Sequence, residues 1–122
     1  MKKTRASQEI KREQKKSFLL REISALVRSL AQDEPKLSFL FVTKVELSKD
    51  TGICYVYFST HTDKEAFYQG LEILKLYKPS MRKALAKILQ TKYVPELFFK
   101  YDSAKEKERK INVLLDKISE EK

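Results

Sequence analysis

The sequence predicts one α+β domain whose elements run α-β-β-α-(kink)-α-β-α. Three observations carry that expectation. Apolar residues recur at helical spacing over residues 19–30, 67–89 and 111–118. The period switches to two over residues 39–58 and again over 96–101, as half-buried strands require. Finally, 122 residues with only two Gly and three Pro suit a single core and leave little chain for flexible linkers.

Leu19, Leu20, Ile23, Leu26, Val27 and Leu30 form the stripe of the first helix, with Arg21, Glu22 and Arg28 outside it. Residues 8–17 offer only Ile10 as an apolar anchor, so this stretch either prolongs the helix into solvent or frays as a basic arm. Pro35 disfavours helical geometry at Glu34, which sets the helix end near Gln32. Phe41, Val45 and Leu47 then alternate with Val42, Lys44 and Glu46 as the inward and outward sets of a strand. "SKDTG" reads as a hairpin turn in which Gly52 supplies a positive φ. In the second strand Cys54, Val56 and Phe58 suit the core, and Ile53, Tyr55 and Tyr57 face outward.

Thr62 and Glu65 stand in capping-box spacing ahead of a helix striped by Phe67, Leu71 and Leu74. Proline at position 79 predicts a break there, after which Met81, Ala84, Leu85, Ile88 and Leu89 stripe a basic amphipathic helix. In "KYVPELFFKYD" Leu97, Phe99 and Tyr101 alternate with Glu96, Phe98 and Lys100. That is a third strand, and Pro95 fits at its mouth because the first residue of a strand need not donate to a ladder. Ser103 and Glu106 offer a second capping box, before a last helix striped by Ile111, Leu114, Leu115 and Ile118.

The formal charge is +9, and its distribution is uneven. Residues 1–30 hold nine basic against three acidic side chains and residues 71–100 seven against two, whereas 31–70 are slightly acidic and 101–122 balanced. Segregated positive charge points to a polyanionic partner, since interspersed charge would avoid the self-repulsion. Lys78, Arg82, Lys83, Lys87 and Lys92 cluster around the break, and Lys11, Arg12, Lys15 and Lys16 lie on the N-terminal extension. Such cations bind phosphates whatever the base sequence and make affinity salt-dependent. Tyr55 and Tyr57 could stack unpaired bases from the outer sheet face, or make ordinary cross-strand pairs.

Other chemistry finds little support. His61 is the only histidine and Cys54 the only thiol, and they read as a turn residue and an inert core residue. No Cys/His/carboxylate spacing suits a metal, and neither glycine belongs to a GxxxxGK[ST] or GxGxxG phosphate loop. No cofactor and no small-molecule substrate are expected. A single cysteine, no run of about 20 apolar residues and no apolar block after the basic N-terminus read as a cytoplasmic protein without a membrane partner.

The order of elements resembles a type II KH-like domain, a three-stranded sheet with helices on one face. "REISALV" at 21–27, "DEPKLSFLFVTKVELSKD" at 33–50, "YVYFS" at 55–59 and above all "YVPELFFKYD" at 93–102 are similar to the ribosome-binding factor A family. Ser38 stands where that family commonly has glycine, its interhelical Ala-x-Gly kink falls on Tyr77, Lys78 and Pro79, and no GxxG loop is present. The resemblance implies residues 1–16 as a basic N-terminal extension, 17–102 as the KH-like RNA-binding domain, and 103–122 as a charged, partly solvated C-terminal helix. It also implies a non-catalytic monomer that docks on the 16S rRNA of the free, immature small ribosomal subunit and assists its late maturation. The other reading that the residues leave open is a protein-interaction module that uses a sheet edge or the C-terminal helix, its basicity incidental.

Overall fold

The structure, a computed structural model, describes residues 5–90 and 93–104. Lys92 and the expected C-terminal helix beyond Ala104 lie outside the described residues. The first helix, α1, runs from Arg5 to Asp33, one residue past the end expected from Pro35. Its 29 residues make a rod of roughly 43 Å at 1.5 Å per residue. Leu19, Ile23 and Val27 are buried, and Leu20, Leu26 and Leu30 pack against them. Glu34 is extended, as a residue before proline prefers, and Pro35–Phe39 form a 3-10 turn that buries Leu37 completely.

Strands β1 (Leu40–Leu47) and β2 (Ile53–Thr60) pair antiparallel, and β3 (Glu96–Tyr101) adds parallel to β2, giving the order β1-β2-β3. A parallel partner needs a long crossover, which α2 (Lys64–Leu89) provides. Glu96 opens the new ladder by donating to the Gly52 carbonyl at 2.8 Å, directly after buried Pro95. The proline loses nothing there, because pairing begins one residue later.

The register of β1 corrects one expectation. Val42 pairs with Phe58 but Lys44 with Tyr57, so Thr43 is an extra, bulged residue. A bulge reverses the inside–outside parity of the strand. Val45 and Leu47 are buried as expected, but upstream of the bulge Leu40 and Val42 take the inward places and Phe41 does not. The bulged Thr43 hydroxyl meets Asp102 Oδ2 at 2.6 Å and the Tyr57 carbonyl at 3.3 Å, tying β1 to the end of β3 across β2. Asp102 is buried, and its Oδ1 also accepts from the Ala104 N–H.

Two turn residues also differ from the expectation. Thr51, with φ 57°, takes the left-handed place foreseen for Gly52. The Asp50 carboxylate accepts from the Gly52 N–H at 2.9 Å and from Ser48 Oγ at 2.8 Å, fixing the turn one residue earlier. At the start of α2 the cap is Asp63, whose Oδ1 accepts from the Ala66 N–H, and not Thr62. Aspartate is at least as good an N-cap as threonine and adds negative charge at the positive end of the helix.

The break expected at Pro79 is not a boundary: helical geometry runs unbroken through it. Phe67, Gly70, Leu74, Met81 and Leu85 are buried on one stripe, and the seven-residue step from Leu74 to Met81 keeps helical phase across the proline. The missing N–H costs about 3 kcal/mol in a helix interior, and burial of apolar side chains on both sides at roughly 1.5–3 kcal/mol each outweighs it. Gly70 is where α2 comes closest to the start of β1, since a Cβ there would collide with Leu40 Cδ1.

Helices α1 and α2 share one core with the inward residues of the sheet: Val45, Leu47, Cys54, Val56, Phe58, Leu97 and Phe99. At its centre the fully buried Phe58 ring meets Phe99 edge-on at 5.7 Å and Phe67 at 6.2 Å.

Candidate nucleic-acid interface

The second half of α2 carries no carboxylate after Glu72, which is itself 3.4 Å from Lys75. Lys83 and Lys87 project from the side of this half opposite the buried stripe, and Lys78 and Arg82 flank the stripe. Lys78 lies at the border with the sheet, its Nζ 5.3 Å from the Phe99 ring centroid. Arg82 Nη2 donates to the Val94 carbonyl at 3.2 Å, which anchors the approach to β3. Lys83 and Lys87 are exposed and form no ion pair among the described residues. Cations near a helix C-terminus also complement its dipole, so part of this charge serves the fold. On the opposite side Tyr77 donates its hydroxyl to Glu34 Oε1 at 3.0 Å, tying α2 at Pro79 to the end of α1. The hydrogen bond and charge of Glu34 raise the Tyr77 pKa, so the phenol stays protonated at neutral pH.

The N-terminal cations divide into kinds that sequence could not separate. Arg12 donates through Nη2 to the carbonyls of Leu47 at 2.5 Å and Ser48 at 3.1 Å, pinning α1 to the hairpin end of the sheet. Lys16 sits 3.3 Å from Glu46 and 3.5 Å from Glu13. Burial pulls the Lys16 ammonium down, but the hydrogen bond and charge of Glu46, with those of Glu13, outweigh it and leave its pKa raised. Lys11 is exposed, and Lys15 lines a hollow with Thr51, Gly52, Tyr93, Val94 and Pro95. Asp50 is the acid in that hollow, and its charge is engaged by the Gly52 N–H and Ser48. Its carboxyl is held below the usual range by the same two contacts, the N–H first.

The two basic segments therefore meet in space. Arg82 reaches Val94 from one side and Lys15 flanks Val94 and Pro95 from the other. The proline-opened junction joins them into one surface.

A positioning role for Arg12 makes a prediction that a phosphate role does not. Arg12→Ala is expected to lower stability by about 1–2 kcal/mol, since hydrogen bonds from a charged donor are worth about 1.5–3 kcal/mol before allowance for its partial exposure. Urea unfolding checks this, and an unchanged midpoint would return Arg12 to the RNA-facing set.

The family model for ribosome-binding factor A matches residues 3–115. The chain belongs to the ribosome-binding factor A family. A curated member from Pelobacter propionicus is 30% identical over 111 residues, covering 91% of each chain. The crystal structure of ribosome-binding factor A from Thermus thermophilus superimposes with a TM-score of 0.64 at 26% identity, covering 74% of this chain and 93% of that one. A homology model of the T. thermophilus factor fitted into the cryo-EM map of a 30S–RbfA complex gives a TM-score of 0.59 at 27% identity, over 72% of this chain and 91% of that one.

Two other features of this chain bear on its surface chemistry. Tyr55 and Tyr57 do face away from the core, and lysines already sit on them. Lys100 Nζ is 4.7 Å from the Tyr55 ring centroid, Lys44 Nζ is 4.7 Å from that of Tyr57, and Phe98 meets Tyr55 edge-on at 5.8 Å. Both tyrosines therefore make cross-strand pairs on the outer face. Lys44 and Lys100 escape a reading of the sequence as partners because only register brings them to those rings.

Cys54 and His61 lie at opposite ends of β2, seven extended residues or roughly 23 Å apart. Burial pushes the Cys54 thiol up to about 11, with Lys15 lowering it in part, so it is protonated and unreactive at neutral pH. A catalytic pair is thereby excluded. Among the described residues no group of three or more His, Cys, Asp or Glu could hold a metal, and no helix is long and apolar enough to cross a membrane.

Proposed function

We propose that this chain is a non-catalytic assembly factor that docks on 16S rRNA of the immature 30S subunit and assists its late maturation, including processing of that RNA. The observation that carries the reading is the joining of two basic segments at Tyr93–Pro95, beside a half-helix free of carboxylates. Lys78, Arg82, Lys83 and Lys87, with Lys92 beside them in sequence, contact phosphates, and Lys11 and Lys15 extend the footprint toward α1. The fitted T. thermophilus factor supports the small subunit as the partner.

The domain is a KH-like fold of type II that acts as a cytoplasmic monomer. Tyr77, Lys78 and Pro79 occupy the place where a gripping KH domain carries GxxG, so recognition runs through phosphate positions and RNA shape more than base sequence. Pro79 aims the basic half of α2 and the Tyr77–Glu34 hydrogen bond holds that aim.

Co-sedimentation with immature small subunits, mature small subunits and whole ribosomes tests the reading. Preferential binding to free small subunits is expected, with log affinity falling against log salt at a slope of roughly −3.5 to −4.5 if about five phosphates are contacted. A flat salt response, or equal binding to all three particles, would reject it.

A further inference from the structure

On the far side of the domain from β3, a cleft of about 470 Å³ opens between α1, the 3-10 turn and β1. That volume lies in the ~300–1,000 Å³ range of small-ligand sites. Its inner wall is aliphatic: Val27, Ala31, Leu37, Leu40 and Val42. Its mouth carries an aromatic pair, Phe41 and His61, with ring centroids 4.8 Å apart. The Thr43 bulge is what brings Phe41 here, because regular pairing would have turned it into the core. Among the described residues Arg28 is the one Lys, Arg, Asp or Glu lining the cleft; it is exposed and makes no ion pair with them. β1 is also an edge strand, so part of its backbone polar groups have no sheet partner.

These features select a ligand class. An aliphatic wall with an aromatic mouth takes a planar ring, and the Arg28 guanidinium favours an attached anion. The absence of any carboxylate from the lining disfavours a cationic guest.

We propose that this cleft receives one unpaired nucleotide extruded from the RNA, its base against the Phe41–His61 pair and its phosphate on Arg28. The proposal rests on the RNA-docking reading above and gives the domain a second contact, at the β1 edge of the sheet, away from β3. Its phosphate-led surface positions the domain; the cleft reads whether a particular residue is still unpaired.

The test is an NMR titration of the full chain with AMP, GMP, CMP and UMP, and with a short glutamate-rich peptide. It is run beside co-sedimentation and ultraviolet cross-linking to small subunits. Arg28→Glu and His61→Ala are the variants, both at exposed positions that leave the core intact. Millimolar binding with shifts confined to residues around Phe41 and His61 is expected, weakened at least about tenfold by either variant, which is roughly 1.4 kcal/mol. Cross-links from peptides containing Phe41 or His61 to RNA are expected in the subunit complex and lost in both variants. Mononucleotide shifts that map only to Lys78–Lys87 would overturn the proposal, as would a cleft that answers the acidic peptide and no nucleotide. The titration needs no ribosome, so it decides the cleft on its own. Wild-type protein that binds small subunits while the cleft stays silent would sink only this inference, and failure to co-sediment would sink the docking reading.

Discussion

Arg82→Glu/Lys83→Glu/Lys87→Glu is expected to weaken binding to small ribosomal subunits by about 10²–10³-fold at moderate salt and to flatten the salt slope by roughly 2–3. Each reversal removes one released counterion and adds repulsion from the phosphate it faced. Lys83 and Lys87 have no ion pair among the described residues, and Arg82 makes one hydrogen bond at the surface, so the fold loses that bond and favourable charge at the helix end but no core contact. A loss of about 1–2 kcal/mol in unfolding free energy is the expected companion result, from the Arg82 bond and the reversed charges at the helix C-terminus. Co-sedimentation across a salt series, with urea unfolding as the control, makes the measurement. If the variant binds like wild type, α2 does not face the RNA.

Phe58→Ala is expected to have the largest effect on stability. The side chain is fully buried and sits between Phe67 of α2 and Phe99 of β3. Phe→Ala at such a site costs roughly 3–5 kcal/mol, through lost transfer energy and the cavity left behind. Against a total of about 5–15 kcal/mol that is a large share. The melting temperature should fall by roughly 10–20 °C. Phe58→Leu keeps most of the volume and should lose under half as much. Equal losses for the two variants would mean that the ring contacts, not the filled volume, hold the two layers together.

What could be read from the sequence is what depends on near neighbours along the chain. The stripe of α1, the alternation of β2 and the start of β3 after Pro95 each follow from spacing of three, four or two residues, and the structure shows them. What local spacing could not show lies where a distant partner decides. Alternation alone turns Phe41 inward because nothing local announces the bulge at Thr43, whose hydroxyl is held by Asp102. Arg12 and Lys16 look like their neighbours in a basic tract, yet the carbonyls of Leu47 and Ser48 claim the first and Glu46 the second. Pro79 has the local chemistry of a helix stop, and only the in-phase burial of Leu74 and Met81 overrides it. The choice of Asp63 over Thr62 and of Thr51 over Gly52 turns on one-residue differences between near-equal alternatives.

The parallel pairing of β3 also sets an order of assembly during synthesis. β1 and β2 are joined by a short turn and can zip early against α1, but the sheet lacks its third strand, and the shared core lacks Leu97 and Phe99, until β3 arrives. The Thr43–Asp102 hydrogen bond, spanning 59 residues, can form only once Asp102 has cleared the exit tunnel. Arg82 finds the Val94 carbonyl, and Lys15 its place beside Pro95, in that same late step. An unfinished chain therefore lacks the Val94 junction at which the second half of α2 meets the hairpin end of α1, and the domain closes only when β3 has been made.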